Sequence, residues 1–271
     1  MEIGASLSQL EISAGDPQQL AAFYARTFCL STVASEDGID CIGEERSLRI
    51  VAGPGGQLRR ATFQFQTMSQ FDRQRQALVS KGINVEELTP NSFSVRDPDR
   101  RLVTFRAPSD KPVPGPQGAL TARLQHFAVR TPAPQLLLDF YTDNLGFVLS
   151  DRVLDGQGNL TAAFMRTDSE HHAMAIFRAP ETRFDHFSCE APDWNHLRDW
   201  ADHMAEVGVD LAWGVGRHGP GNDTFLMVRD MDGNMGEISC DLEVCEPDRP
   251  AGVWPHRPQT LNQWGVAIMR S

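Results

Sequence analysis

Three residues, His126, His186 and Glu237, could bind a metal ion, and each lies in an apolar, strand-like stretch. His126 precedes Phe-Ala-Val, His186 precedes Phe-Ser-Cys, and Glu237 lies between Gly and Ile. A carboxylate in such a stretch is costly to bury unless a cation pairs with it. Imidazole and carboxylate groups are common ligands of divalent metals. We therefore predict that these three residues form one metal site.

Two imidazoles and one carboxylate can bind one face of a metal ion and leave the opposite face open. This is the ligand set of non-haem iron(II) oxygenases, in which dioxygen and a chelating substrate bind the same ion. A single histidine in an apolar strand is more often structural. The occurrence of three such residues at corresponding strand positions favours a metal site, although a metal-free structural role stays the alternative.

The stretch 216–238 should bring several of these groups together. A Gly/Pro-rich turn carries His218, and its glycines permit close approach of the backbone to a ligand. A strand over 224–228 and a tight turn at 232–234 follow. The returning strand then carries Glu237, so both residues are expected on neighbouring strands.

Strands and amphipathic helices alternate along both halves of the chain. Asp16-Pro17 opens a helix, a second helix over 69–82 ends at a glycine, and further helices are predicted over 134–144 and 193–207. Short strand-like segments lie between them. The order of strand, helix and several strands then recurs, which indicates an α+β fold built by duplication.

The best candidate for a linker lies near the middle of the chain. Residues 107–120 contain four prolines and two glycines, which cannot sustain a helix or a central strand. We predict an N-terminal domain over 1–110, a linker over 111–120 and a C-terminal domain over 121–271.

Weak matches between the halves support the duplication and predict how they differ. Alignment of the repeated strands assigns three residues of the first half to the positions of the predicted ligands. For His126, His186 and Glu237 these are Leu10, Thr62 and Thr104, respectively. The first domain is therefore predicted to lack the metal site.

Charge and composition argue against several classes of partner. The 271-residue chain has a formal net charge of −11 and is 41% hydrophobic, so it is globular and is not expected to bind nucleic acid or an anionic membrane. We find neither a cationic start followed by an apolar run nor a membrane-spanning segment, which predicts a cytoplasmic protein. The five cysteines are scattered, and no disulfide framework or thiolate zinc site is expected.

The motifs described above resemble the vicinal oxygen chelate (glyoxalase/bleomycin resistance/dioxygenase) superfamily, and specifically its two-domain extradiol catechol dioxygenases. The resemblance rests on the three predicted ligands, on Gly-Arg-His-Gly-Pro-Gly-Asn at 216–222, on Arg-Asp-Met-Asp-Gly-Asn-Met-Gly-Glu at 229–237, and on Thr-Leu-Asn-Gln-Trp-Gly at 260–265. It implies tandem βαβββ modules, two per domain, that form an open, barrel-like mixed sheet around the metal.

The resemblance also implies an activity. The expected reaction is ring cleavage of a catechol-type aromatic diol by dioxygen, with iron(II), or alternatively manganese(II), as the cofactor. His171 would be the acid/base residue, because alternation along a strand sends His172 to the opposite face. His218 would hydrogen-bond the substrate. A homo-oligomer is expected by the same resemblance.

One position departs from the family pattern. Many extradiol enzymes have a tyrosine on the strand before the Asp-x-x-Gly turn, whereas this chain has Met227. A thioether accepts hydrogen bonds weakly and donates none, so the role of the phenol is missing or supplied elsewhere. Together with Trp213, Phe225 and Asn222, Met227 is a candidate pocket residue, although the apolar members suit a core equally well.

Two other functions are consistent with the same sequence. A metal-dependent isomerase, lyase or hydrolase of this superfamily would act without oxygen, and Met227 favours it. A metal-free small-molecule-binding protein is the third possibility, against which the intact set His126, His186 and Glu237 argues.

Overall fold

The computed structural model describes residues 2–109 and 115–269, which form two mixed β-sheets with helices packed on them. The first sheet has eight strands in the order β2-β3-β4-β1-β5-β8-β7-β6. Its strands are β1 (Ala5–Ala14), β2 (Ser31–Ser35), β3 (Gly38–Gly43), β4 (Arg46–Ala52), β5 (Gln57–Phe65), β6 (Glu86–Thr89), β7 (Ser92–Arg96) and β8 (Leu102–Arg106).

The second sheet has nine strands in the order β14-β15-β16-β13-β9-β12-β11-β10-β17. Its strands are β9 (Arg123–Thr131), β10 (Val148–Leu154), β11 (Leu160–Arg166), β12 (Met174–Arg178), β13 (Arg183–Glu190), β14 (Leu211–Arg217), β15 (Thr224–Arg229), β16 (Met235–Cys240) and β17 (Gly252–Pro255). Apart from the additional strand β17, this order repeats that of the first sheet.

Three of the helices begin at polar caps that the sequence supplies. The helices are α1 (Pro17–Thr27), α2 (Met68–Ser80), α3 (Pro134–Asp139, continued by a wider π-type turn over Phe140–Asn144), α4 (Trp194–Glu206) and α5 (Pro258–Leu261). Asp16 accepts a hydrogen bond from the backbone of α1, Thr67 and Gln70 form a reciprocal capping box on α2, and Asp193 caps α4.

The chain therefore contains four βαβββ modules, two in each sheet. The first strands of paired modules lie side by side and antiparallel, as β1 with β5 and β9 with β13. This confirms the predicted α+β class and the open, barrel-like arrangement, in which neither sheet closes on itself within the described residues. The predicted linker, 111–120, lies between β8 and β9, and its residues 111–114 fall outside the described residues. We propose 1–110 and 121–271 as the two domains.

One hydrophobic core joins the two sheets. Phe28, at the end of α1, packs against Phe187 of β13 with ring centroids 4.9 Å apart and against Trp200 of α4 at 6.3 Å. A β-carbon on Gly236 would lie 2.4 Å from the ring of Phe28, so β16 approaches this helix closely. The first domain thus supports the strand that carries Glu237.

Strand register corrects the predicted correspondence between the domains. His126 and Glu237 both lie opposite Ser188, whereas Gln9 and Thr104 both lie opposite Thr62. Glu237 therefore corresponds to Thr104, as predicted, but His126 corresponds to Gln9. The prediction of Leu10 was wrong by one residue, because Leu10 points into the hydrophobic core on the opposite face.

The same register corrects the correspondence for the second histidine. Because Thr62 occupies the position of Ser188, His186 corresponds to Arg60, two residues earlier on β5. The first domain has no set of two histidines and a carboxylate at these positions.

None of the described helices is long and apolar enough to cross a membrane.

Candidate metal centre and adjoining cavity

The three predicted ligands converge from strands β9, β13 and β16. The Nε2 atoms of His126 and His186 are 3.2 Å apart, and Glu237 Oε2 lies 3.6 and 3.5 Å from them, respectively. Ligand bonds of about 2.1 Å at right angles place adjacent donor atoms about 3.0 Å apart, whereas opposite donors would be about 4.2 Å apart. All three separations fit ligands on one face of a metal ion.

Neighbouring side chains fix the orientation of both imidazole rings. His126 Nδ1 lies 2.5 Å from the side-chain oxygen of Gln125, and His186 Nδ1 lies 2.6 Å from Asp185 Oδ1. Since these oxygens can only accept, each Nδ1 carries the proton. Arg130 in turn donates to the second oxygen of Asp185. Such partners set the tautomer of metal-binding histidines.

This tautomer leaves two unprotonated Nε2 atoms facing each other beside a carboxylate. Both oxygens of Glu237 are buried and accept no well-aligned hydrogen bond within the part of the chain that the structure describes. Burial lowers the pKa of His126 to about 4, so its ring is neutral at pH 7. Lone pairs that converge in this way need a cation between them, and the site fits a divalent metal.

A mostly apolar cavity adjoins the three ligand atoms. It comprises about 380 Å³ of empty space, including the part open to solvent. Its wall contains four histidines among aromatic and aliphatic side chains. The lining residues are His126, Phe164, His172, Ala175, Phe177, His186, Trp213, His218, Pro220, Met227, Thr260 and Leu261.

His218 lies at this cavity, as predicted, and is held in a fixed orientation. Its Nδ1 donates to the Leu261 carbonyl oxygen at 2.6 Å, and its ring stacks on Phe225 with centroids 3.9 Å apart. Nε2 lies 3.6 Å from Glu237 Oε1. Although burial opposes it, the negative charges of Asp223 and Glu237 raise the pKa of His218. A raised pKa favours the doubly protonated ring, in which Nε2 would carry an N–H beside the ligands.

The two adjacent histidines are placed opposite to the prediction. His172 lines the cavity, whereas His171 is fully buried behind it and lies against Asp151. Strict alternation would place His171 on the face of Ala175, but the chain bends at His171 and Ala173 before β12 begins. The prediction that the two side chains point in different directions holds, but the side chain at the cavity is His172.

The candidate pocket residues divide into two groups. Trp213 and Met227 line the cavity, and Met227 lies opposite Glu237 in the β15–β16 pair. Phe225 is instead covered by His218, which it supports from behind. Asn222 is exposed and accepts a hydrogen bond from Arg217, so the structure does not bring it to the cavity.

Asp223 is a buried group that the sequence interpretation did not identify. Its donor atoms lie within 4.8 Å of those of His218 and Glu237, and neither carboxylate oxygen has a hydrogen-bond partner among the described residues. Burial raises the pKa of Asp223 to about 7. An aspartate next to Gly-Asn usually indicates a solvated turn, so no sequence pattern marked Asp223 as a buried group.

Comparison with known proteins identifies the class of this domain. Residues 123–238, from β9 to β16, match the model of the Glyoxalase/Bleomycin resistance protein/Dioxygenase superfamily. This part of the chain contains all three converging residues. The chain therefore carries a domain of that superfamily.

Among individual proteins, Metapyrocatechase 2 of Cupriavidus necator is 35% identical over 157 residues, which cover 56% of this chain and 47% of the relative. The chain thus spans about half the length of the curated relatives that it matches: 47% of Metapyrocatechase 2 and 45% of the Metapyrocatechase of Pseudomonas sp. (strain CF600). The Mn(II)-bound glyoxalase from Novosphingobium aromaticivorans is similar over 100% of this chain and 93% of its own, with a TM-score of 0.82 and 22% identity.

A second solved structure shares the fold over nearly the whole chain. It is the anaerobic complex of homoprotocatechuate 2,3-dioxygenase from Brevibacterium fuscum with 3,4-dihydroxyphenylacetate. It covers 99% of this chain and 91% of its own, with a TM-score of 0.78 and 22% identity. At this identity the likeness establishes the fold.

Proposed function

We propose that this protein is an extradiol dioxygenase that opens the ring of a catechol-type substrate with dioxygen. The proposal rests above all on the convergence of His126, His186 and Glu237 at the wall of an apolar cavity. In the overall reaction one C–C bond of the ring breaks and both atoms of O₂ enter the product, which is a ring-opened semialdehyde acid. No further reductant is needed.

His126, His186 and Glu237 would hold the metal through two neutral nitrogens and one negative oxygen. Iron(II) suits this set, and manganese(II) is the alternative. When bound, the metal would lower the pKa of a coordinated hydroxyl group and bring substrate and dioxygen together. Gln125 and Asp185 keep both imidazoles oriented for this role.

Two further histidines would handle protons at the substrate. His172, in place of the predicted His171, has an Nε2 atom without a hydrogen bond in the described part of the chain and can accept a proton from a catechol hydroxyl. Burial, followed by the charges of the neighbouring histidines, lowers the pKa of His172, so its ring is neutral and one ring nitrogen carries a free lone pair. His218 can donate a hydrogen bond to a substrate oxygen, since its pKa is raised.

The lining favours a catechol without a carboxylate. Phe164, Phe177 and Trp213 offer flat apolar surfaces for an aromatic ring, and Met227 replaces a hydrogen-bonding phenol with a thioether. Among the described residues that line the cavity there is no lysine or arginine to pair with an acidic substituent. We expect kcat/KM for catechol or an alkylcatechol to exceed that for 3,4-dihydroxyphenylacetate.

The test is to purify the protein anaerobically, load it with iron(II), and present a panel of catechols under oxygen. Oxygen uptake with the appearance of a yellow ring-opened product is expected. Replacing His186 or Glu237 by Ala should abolish metal retention and turnover together. Absence of turnover with every catechol, in protein that holds iron, would reject the dioxygenase proposal.

A non-oxidative reaction on a chelating substrate is the second candidate, and Met227 is the observation that favours it. Without a phenol at this position, one donor to the substrate oxygen is lost. Product formation under anaerobic conditions, with zinc, nickel or cobalt preferred to iron, would support this alternative.

We also propose that the protein forms a homo-oligomer, which sedimentation analysis of the intact chain would test.

A further inference from the structure

Arginines occupy the part of the first sheet that corresponds to the metal centre of the second. By strand register, Gln9, Arg60 and Thr104 take the places of the three converging residues. Arg49 of β4 takes the place of Ala175, which lines the cavity. A guanidinium group stays protonated and repels a metal cation, so this face of the first domain suits a ligand of negative charge.

A third arginine joins these two from strand β8. Arg106 Nη2 donates to Gln9 Oε1 at 3.3 Å, and the Gln9 amide donates in turn to Ser47 Oγ at 3.0 Å. Burial lowers the pKa of Arg106, and the positive charges of Arg60 and Arg49 lower it further. The three guanidinium groups are therefore close enough to repel one another. We refer to Arg49, Arg60 and Arg106 as the arginine cluster.

The acidic residues near the arginine cluster do not neutralise it. Glu11 of β1 lies opposite both Arg49 and Arg60, but it forms no ion pair with either one in the part of the chain that the structure describes. Arg49 Nε lies 3.5 Å from Asp40 Oδ1. Arg60 and Arg106 have no carboxylate within ion-pair distance among the described residues. Positive charge therefore exceeds negative charge here, in a chain whose net charge is −11.

Two buried polar atoms on this face have no hydrogen-bond partner among the described residues. They are Nε of Arg60 and Oγ1 of Thr62, and Thr62 is 0% exposed. Thr62 lies opposite Gln9 on one side and Thr104 on the other, so it shares their face of the sheet. Buried donors are normally hydrogen-bonded, because the loss of water is otherwise uncompensated. An oxyanion would accept from both the guanidinium and the hydroxyl, which are two residues apart on one strand.

We propose that the arginine cluster is a binding site for a small oxyanion, with either a carboxylate or a phosphate as the bound group. The planar fork of a guanidinium group can donate two parallel hydrogen bonds to both kinds of group. Arg60 and Arg106 would hold the anion, Thr62 would donate from its hydroxyl, and Arg49 would add positive charge. The inference does not depend on the proposed function, because none of these residues lines the cavity of the second domain. The same fold would thus bind a cation in one domain and an anion in the other.

The experiment is isothermal titration calorimetry of the intact protein at constant ionic strength, with inorganic phosphate and succinate as separate probes. We expect saturable binding of one equivalent of at least one probe, with a Kd below about 10 mM. Constant ionic strength removes the general effect of salt on charged groups, so a saturable signal reports a specific site. Comparison of the two probes shows whether the site prefers a phosphate or a carboxylate.

Arg60→Gln locates the site. The variant removes the charge and the forked donor but keeps a polar side chain, so the affinity for the anion should fall about 10- to 100-fold. Arg106→Gln should cause a similar loss. Arg59→Gln is the matched control, because Arg59 is the adjacent residue on the same strand, has the same charge and is exposed. Its affinity should equal that of the natural protein.

Three results would overturn the proposal. The first is the absence of saturable binding of both probes to the natural protein, which needs no variant and so stands even if Arg60→Gln fails to fold. The second is unchanged affinity in folded Arg60→Gln and Arg106→Gln, which would mean that the anion binds elsewhere. The third is an equal loss in Arg59→Gln, which would mean that binding follows the overall charge. None requires turnover of a catechol, so a failure of the dioxygenase proposal is distinguishable from a failure of this one.

Discussion

At the scale of single residues, the candidate site depends on partners that select one nitrogen of each histidine. Gln125 and Asp185 accept hydrogen bonds from the outer nitrogens of His126 and His186, and the inner nitrogens are left for a metal. His218 is fixed by a backbone carbonyl. Side chains of the same type thus acquire different roles from their neighbours.

Asp185→Asn should therefore weaken metal binding without removing a ligand. The carboxylate accepts from His186 Nδ1 and pairs with Arg130, and an amide is a weaker acceptor that can also rotate. We expect a 10- to 100-fold lower affinity for Mn(II) by isothermal titration calorimetry. Asp199→Asn, at an exposed pair with Arg198, is the matched control and should leave the affinity unchanged. Equal affinities of both variants would exclude this orienting role.

A second residue-level prediction concerns Asp168, which lies outside the cavity. Burial raises the pKa of Asp168 to about 6, and the charge of Glu170 adds to this effect. Because the folded protein binds this proton more tightly than the unfolded chain, proton binding stabilises the fold. This stabilisation is fully present below about pH 4, near the pKa of the carboxyl group in the unfolded chain, and is lost as the pH rises through about 6. Asp168→Asn should therefore be more stable than the natural protein by about 1 kcal/mol at pH 7.5, after discounting for partial exposure.

The measurement for Asp168→Asn is urea unfolding at pH 4.5 and pH 7.5. The advantage of the variant should shrink at the lower pH, where the folded natural protein carries a protonated Asp168. A constant difference at both values would mean that the pKa of this carboxyl group is not raised.

The sequence could indicate the converging residues but not the choice between His171 and His172. His126, His186 and Glu237 stand out because each is polar among apolar neighbours on a strand. The bend at Ala173 has no comparable signal, since it depends on how the segment before β12 meets Glu243 and Val244 of the C-terminal region. Such long-range contacts override simple alternation.

At the scale of elements, the strands that the sequence did not reveal are mainly those at sheet edges. β2 is almost wholly exposed, as is β6, so neither shows the alternation of apolar and polar residues that marks a half-buried strand. The four longer helices were predicted to within a few residues, because their apolar faces are local, whereas the short helix α5 was not predicted. The fold class could therefore be predicted although part of each sheet could not.

Close packing of β16 against α1 leads to a prediction for Gly236. A β-carbon here would lie 2.4 Å from Phe28 and 3.2 Å from Phe187, too close for either ring to remain in place. Gly236→Ala should lower the free energy of unfolding by about 1–3 kcal/mol in urea titration. Gly15→Ala is the control, because nothing lies within 4 Å of its added methyl group. Equal stability of the two variants would show that the core adjusts freely.

At the scale of the whole molecule, two tyrosines join the domains in a reciprocal way. Tyr24 of α1 donates to Asp230 in the turn before β16, at 2.5 Å, and Tyr141 of the second domain donates to Asp97 in the corresponding turn before β8, at 3.2 Å. Each domain thus fixes a turn of the other. This pairing could not be read from sequence, because it joins residues 206 and 44 positions apart, respectively.

Substitution of each tyrosine distinguishes an effect on the stability of the fold from an effect on metal binding. Tyr24→Phe and Tyr141→Phe each remove one buried hydrogen bond to a carboxylate, so each should lower the free energy of unfolding by about 1.5–3 kcal/mol. Only the turn at Asp230 leads into the strand with Glu237, whereas the turn at Asp97 leads to Thr104. Calorimetric titration with Mn(II) should therefore show weaker binding in Tyr24→Phe and unchanged binding in Tyr141→Phe. A similar loss of affinity in both variants would mean that metal binding follows global stability, and the N-terminal domain would then support the site only by keeping the molecule folded.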